Sequence, residues 1–360
     1  MLIGDVDTGA DFAHPDLQGK LVAGARFTDG TGSPSGGGEQ DDVGHGTMTT
    51  GIMVADTNNG IGIAAVAPGA RALIVKVLDS SGRGYSNDVA AGIDWAAAHG
   101  ARVINLSLGP EIPLVNVAGL GDPIQTAIEN AYRKGVAVAL AAGNNGLPVS
   151  QYLQSAALIV GAVGPDGSVA GYSNGADIYA PGGTGSGDAH TQVISTHVDP
   201  ATGAHDYKYD SGTSFATPQV AGVLAQLMAR GYSNSAAYSR IRATAVTRAG
   251  VPELDAARAL GASGTCNAAP PVHPAGHASG GAPAVPSSVP HPSGVPRAST
   301  SASTSQSASA TASGAAASGT LASPGNSPPP VLPISATIAG IAALAGGAAA
   351  IRGRRVVRQR

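Results

Sequence analysis

The chain has 360 residues, 43% of them hydrophobic, enough to bury a large core, and its formal net charge is −3. That balance gives no electrostatic reason to expect nucleic acid as a partner. The single cysteine, Cys266, excludes an internal disulfide framework.

In chain order, Leu2 to Val6, Ala72 to Leu78, Arg102 to Leu108, Val136 to Ala142 and Ala157 to Val163 read as buried strands. Their nearly continuous Val, Ile, Leu and Ala implies cover on both faces of a parallel sheet. Helices are expected between them over 45–55, 86–99 and 122–134, and later over 213–230 and 234–246. The 122–134 helix is well punctuated. Asp122 is the N-cap, Pro123 takes the first helical position, Gln125 follows three residues after the cap, and Gly135 marks the end. Alternating strands and helices predict an α/β fold: a doubly wound, mostly parallel sheet with helices on both faces and active residues at strand ends.

Beyond residue 263 the pattern stops. Residues 264–332 are mostly Ser, Thr, Ala, Pro and Gly, with too few large apolar side chains to offset the cost of ordering, so a disordered linker is expected. Ile334 to Ile351 then form an uncharged run of 18 residues, followed by Arg352, Arg354, Arg355, Arg358 and Arg360. This order predicts a transmembrane helix over 333–351 and an Arg-rich cytoplasmic tail over 352–360. The 1–263 domain would then lie outside the cell membrane. Met1, however, is followed at once by a core strand, with no basic or apolar leader, so the expected export implies a truncated start that has lost a signal peptide and a pro-segment.

Three segments carry chemistry: Val6-Asp7-Thr8-Gly9, Gly44-His45-Gly46-Thr47, and Gly212-Thr213-Ser214-Phe215-Ala216-Thr217-Pro218. The last places a hydroxyl at the start of an apolar helix, where unpaired backbone N–H groups favour an anion. A serine hydroxyl needs a base to take its proton and a carboxylate to orient that base. Asp, His and Ser occur here in one of the known triad orders. The short Asp7-Thr8-Gly9 also matches the signature of retroviral-type aspartic proteases, in which two carboxylates share a proton. That reading needs a small β-rich dimer, which the alternating pattern opposes.

Over residues 2–262 the chain resembles the subtilisin-like (S8) serine peptidases. The matching blocks are Asp7-Thr8-Gly9 with His14-Pro15-Asp16-Leu17 behind it, His45-Gly46-Thr47, Asn105-Leu106-Ser107-Leu108-Gly109, Ala141-Ala142-Gly143-Asn144, and Gly212 to Pro218. The resemblance implies that Ser214 attacks the scissile carbonyl, His45 acts as base and then acid, and Asp7 orients His45. It implies an oxyanion hole from the Asn144 amide and the Ser214 N–H. It also implies substrate contacts from Ser107, Leu108, Gly109, Ala141, Ala142 and Gly143, and protein or peptide substrates. No cofactor is required for that chemistry. A structural calcium is implied by Asp16, Thr57, Asn59, Ile61 and Ile63, which match a family calcium loop. Three places depart from the family pattern: Pro110 after Ser-Leu-Gly, Asp5 at a normally apolar strand position, and Met48-Thr49-Thr50 in place of a more apolar helix start. With its linker, apolar run and basic end, the chain looks like the mycosins, membrane-anchored proteases associated with type VII secretion. The alternatives are a generic surface-anchored subtilase and an inactive surface binding protein with a peptidase fold.

Overall fold

The computed structural model describes residues 1–109, 122–150 and 155–262, together with the backbone of Pro333–Ser335. The expected linker over 264–332, the tail over 352–360, Cys266 and the Pro110 rim lie outside the described residues.

The chain opens with β1 (Leu2–Asp7), β2 (Leu21–Arg26), α1 (His45–Val54) and β3 (Arg71–Lys76). It continues through β4 (Arg83–Tyr85), α2 (Ser86–Ala98), β5 (Val103–Leu106) and α3 (Pro123–Arg133). Then come β6 (Ala137–Ala141), β7 (Leu158–Val163) and β8 (Ile178–Pro181). An antiparallel hairpin of β9 (Val193–Val198) and β10 (His205–Asp210) leads into α4 (Thr213–Ala229) and α5 (Asn234–Thr244). Three short elements follow: β11 (Val246–Arg248), β12 (Val251–Glu253) and α6 (Ala256–Ala259).

Nine strands form one sheet in the order β11-β12-β8-β7-β6-β5-β1-β3-β2, and only the β11–β12 pair is antiparallel. The α/β expectation therefore holds. Side-chain alternation divides the core between the two faces. On β3, Ala72 and Ile74 join Met53, Val220 and Leu224 of α1 and α4, whereas Leu73 and Val75 join Val89, Ile93 and Ile128 of α2 and α3. The five expected strands are all present, with ends moved by up to two residues. The helix over Pro123–Arg133 carries the expected cap, Asp122 Oδ1 accepting from Ile124 N at 2.9 Å, and Gly135 adopts φ +81° after its end.

The order reverses at β1, which lies between β3 and β5. Such a switch point opens a crevice at the carboxyl ends of the strands. Asp7 is the last residue of β1, and Ser107 follows β5 directly.

Of the expected 333–351 membrane span, Pro333–Ser335 form a strand, β13, that pairs antiparallel with β4. Residues 336–351 lie outside the described residues. Among the described residues no helix is long and apolar enough to cross a membrane.

The first turn of α1 lies directly on the loop after β1. A Cβ on Gly46 would sit 2.1 Å from the Gly9 carbonyl oxygen, and Gly9 itself needs φ +108°. Neither backbone segment can retreat without moving its strand or helix. Gly46→Ala is therefore expected to destabilise the fold by at least about 2 kcal/mol, measured by urea denaturation in a Ser214→Ala background. An unchanged midpoint would show that the contact can relax.

Candidate active site

Parity on β1 sends Asp5 and Asp7, with Ile3, toward the face covered by α1 and α4. Asp7 is fully buried at the strand end, and its Oδ1 accepts from His45 Nδ1 at 2.7 Å and from Thr8 N at 2.7 Å. A carboxylate only accepts, so Nδ1 carries the proton and Nε2 of the neutral ring keeps its lone pair. Asp7 Oδ2 has no partner among the described residues.

His45 is the first residue of α1, entered through Gly44 at φ +94°. Burial disfavours its charged form, as does a helix N-terminus. The charge of Asp7 and its hydrogen bond outweigh burial, with smaller help from Asp41 and Asp5, so the imidazole pKa is raised above 6.5. The His45 ring packs beside Phe215, centroids 5.5 Å apart, which brings it next to the start of α4.

Asp41 was not singled out from the sequence. It is 4% exposed and gathers the elements around His45. Its Oδ1 accepts from Thr8 Oγ1, Val43 N and Gly44 N at 2.8, 3.0 and 2.9 Å. Its Oδ2 accepts from Thr47 N and Thr47 Oγ1 at 2.8 and 2.6 Å. Thr8 Oγ1 in turn accepts from Gly46 N at 2.8 Å. This carboxylate thus satisfies donors at the head of α1 and ties them to the Thr8 loop. An acid four residues ahead of a helix-opening histidine was the available signal.

Ser214 is the second residue of α4, and first-turn N–H groups of a helix lack an intrahelical acceptor. Its Oγ donates to Ser107 O at 3.0 Å, and Ser107 Oγ donates to Ser214 O at 2.8 Å. The second bond has a covalent cause. Pro218 stands four residues after Ser214 and has no N–H, so the Ser214 carbonyl loses its helical donor. Ser107 supplies the replacement, and the end of β5 is thereby fixed to the serine.

Asn144 Oδ1 accepts from Thr213 N and Thr213 Oγ1 at 3.0 and 2.9 Å. Those donors fix the amide orientation and leave Nδ2 as a donor on the Gly212 side, 3.6 Å from where a Cβ of Gly212 would lie. Among the expected substrate contacts, Leu108 and Ala142 are core residues on the α2–α3 face. Ala142 O and Gly143 O already accept from Asn174 Nδ2 and Asn174 N, each at 3.0 Å, and Gly143 N donates to Thr213 Oγ1 at 3.3 Å. Ala141 ends β6, and half-buried Gly109 is the last described residue before Pro110.

Two of the three sequence departures, Asp5 and Met48-Thr49-Thr50, meet in space. Asp5 Oδ2 is 2.9 Å from Thr49 Oγ1 and 2.6 Å from Thr50 Oγ1, and Oδ1 accepts from Asn105 Nδ2 at 2.9 Å. Burial, then the nearby charge of Asp7, pushes the Asp5 carboxyl up to about 7.

The residues of the expected calcium loop gather around Asp16. The Asp16 carboxylate is fully buried, but its oxygens accept from Asn59 Nδ2 at 2.7 Å and Ile63 N at 3.0 Å. Asn59 Oδ1 accepts from Ile61 N at 3.2 Å, while Thr57 contributes its N–H to Asp56. The phenol of Tyr207 stands at the same carboxylate, its pKa raised by burial and by Asp16. Calcium takes six to eight oxygens; Asp16 and Asn59 carry oxygens of that kind, engaged here by donors of the same loop.

The family model described as the Subtilase family, peptidase S8, matches residues 1–270. The chain belongs to the subtilase family. This subtilase is 40% identical over 248 residues to thermitase of Thermoactinomyces vulgaris, covering 68% of this chain and 80% of that protein. It is 39% identical over 248 residues to the thermophilic serine proteinase of Bacillus sp. strain AK1, covering 68% of this chain and 56% of that protein. Among solved structures, a protease from Pseudoalteromonas arctica matches with a TM-score of 0.64 and 29% identity, over 73% of this chain and 89% of that chain. The fold and these matches overturn the retroviral-type aspartic reading.

Asp41→Ala leaves five donors without an acceptor and is expected to cost at least about 3 kcal/mol in chemical denaturation.

Proposed function

We propose that this subtilase is a serine endopeptidase acting through an acyl-enzyme. The Asp7–His45 Nδ1 bond of 2.7 Å carries the proposal, because it leaves Nε2 as a base beside the helix that presents Ser214. Rotation of the Ser214 hydroxyl from Ser107 O toward Nε2 would let His45 take its proton as Oγ attacks the peptide carbonyl. The proton then passes from Nε2 to the leaving amine, and water repeats the sequence to release the acid. The Ser214 N–H and Asn144 Nδ2 are the donors proposed for the oxyanion. Asp7 keeps the tautomer and stabilises the imidazolium. No metal is needed for any of these steps.

Protein or peptide substrates suit the relatives, among them a serine proteinase and a solved protease. An extracytoplasmic, membrane-anchored or type VII-associated role draws only on the order of segments after residue 263. The Ile334–Ile351 run with its Arg-rich end supports such a tether, and the pairing of Pro333–Ser335 with β4 opposes it. Extraction of the full chain from membranes by alkaline carbonate would reject the anchor.

Labelling by a fluorophosphonate is expected for the parent protein and lost in Ser214→Ala. Asn144→Ala is expected to lower kcat by about 10²–10³. Because the His45 pKa is raised, kcat/KM is expected to fall as pH drops through a value above 6.5. Rates unchanged well below that pH would contradict His45 as the base.

A further inference from the structure

Asp5 is 1% exposed, yet no cation is among its hydrogen-bond partners. Proton counting at its cradle shows why it can stay there. Thr49 Oγ1 is 2.9 Å from Asp5 Oδ2 and 3.0 Å from Gly46 O, but a hydroxyl has one proton. If Asp5 is ionised, Thr49 can serve only one of these two acceptors. If Asp5 is protonated, Oδ2–H donates to Thr49 Oγ1 and Thr49 donates to Gly46 O. Thr50 then donates to Asp5 Oδ2 and Asn105 to Oδ1, so every donor and acceptor is used. The cradle is complete for the neutral acid.

The same cradle touches each part of the proposed chemistry. Asp5 lies two residues from Asp7 on the same strand face, about 6.6 Å along the chain. Thr49 and Thr50 lie on α1 with His45, and Asn105 is the register partner of Asp5 on β5. Asn105 Nδ2 is also 3.0 Å from Ser107 Oγ, the group that donates to the Ser214 carbonyl. The charged or titratable groups around it are Asp7 on β1, His45 at the head of α1, and Asp41 beyond them. The buried face of α4 contributes none: Thr213, Ser214, Phe215 and Thr217 are uncharged.

We infer that Asp5 is a positioning residue for the acid–base pair: a buried neutral carboxylic acid that joins β1, α1 and β5, and whose ionisation places a second negative charge behind Asp7. While Asp5 is protonated, Asp7 alone acts on His45. Once Asp5 ionises, the added charge stabilises the imidazolium, so the base releases its proton at higher pH. The folded carboxyl titrates at about 7 against an ordinary 3.8, which has a consequence for stability. The associated stability is fully present below the unfolded value and is lost as pH rises through the folded one.

The kinetic part of this inference rests on the serine-peptidase reading; the protonation part does not. Infrared difference spectra of the Ser214→Ala protein, recorded across the pH range, read the carboxyl without turnover. A protonated carboxylic carbonyl stretch is expected at pH 5, lost as pH passes about 7, and absent in Asp5→Asn. If Asp5→Asn does not fold, Thr50→Val is the second variant. Removing a donor to the ionised form is expected to raise the pH at which the band disappears. In the active enzyme, Asp5→Asn is expected to move the acidic limb of kcat/KM down by up to about one pH unit. It should also flatten the fall in thermal midpoint between pH 4 and 7. A structural role alone would lower the midpoint and rate at every pH and leave the limb in place. Absence of an Asp5-dependent band, or an unmoved limb in folded Asp5→Asn, would overturn the inference. A band without any peptidase activity would keep Asp5 as a neutral buried acid and remove the enzyme reading instead.

Discussion

The active site depends on how closely the head of α1 can approach the end of β1. That approach is possible because Gly46 has no Cβ to meet the Gly9 carbonyl, and because Asp41 accepts the donors that the turn brings together. Once the two backbones are in contact, Asp7 Oδ1 and His45 Nδ1 meet at 2.7 Å. The same approach explains why α1 is buried on every side. One face meets the sheet, and the other is covered by α4 and the β9–β10 hairpin. That hairpin adds its own bonds to the helix: Ser195 Oγ donates to Met48 O, and Thr196 Oγ1 to Thr47 O.

A chain of polar contacts runs through what is otherwise an apolar interior. It passes from Thr49 and Thr50 through Asp5, Asn105 and Ser107 to the Ser214 carbonyl. Each link answers a deficit created by another residue. Pro218 deprives a carbonyl of its donor and Ser107 provides one; Asp5 brings a carboxyl into the core and the two threonines receive it. Removing one member leaves its partner buried and unpaired, which costs more than the bond itself contributes. The serine is thus held by its helix and by the strands that carry the acid.

Much of this was legible in the sequence. The central strands were readable because cover on both faces leaves continuous apolar runs, as at Val136 to Ala142. Asp7, His45 and Ser214 were readable because each sits in a short local motif. Half-exposed β2, with Gly24 inside it, and the polar β9–β10 hairpin lacked that signature. Asp41 was missed because its role exists only when Thr8 and Thr47 are brought to it. Asp5 and the Thr49-Thr50 pair read as two separate faults; only the packing of α1 on β1 shows them to be one arrangement.

The central claim is that His45, oriented by Asp7, activates Ser214 as a nucleophile toward a carbonyl. Acid-quenching the reaction with an activated ester and mapping the modified peptide by mass spectrometry tests it most directly. The account predicts an acyl group on Ser214 within the Gly212–Pro218 segment, absent from His45→Ala. Turnover of the ester with no covalent adduct, or an adduct on a different residue, would contradict it.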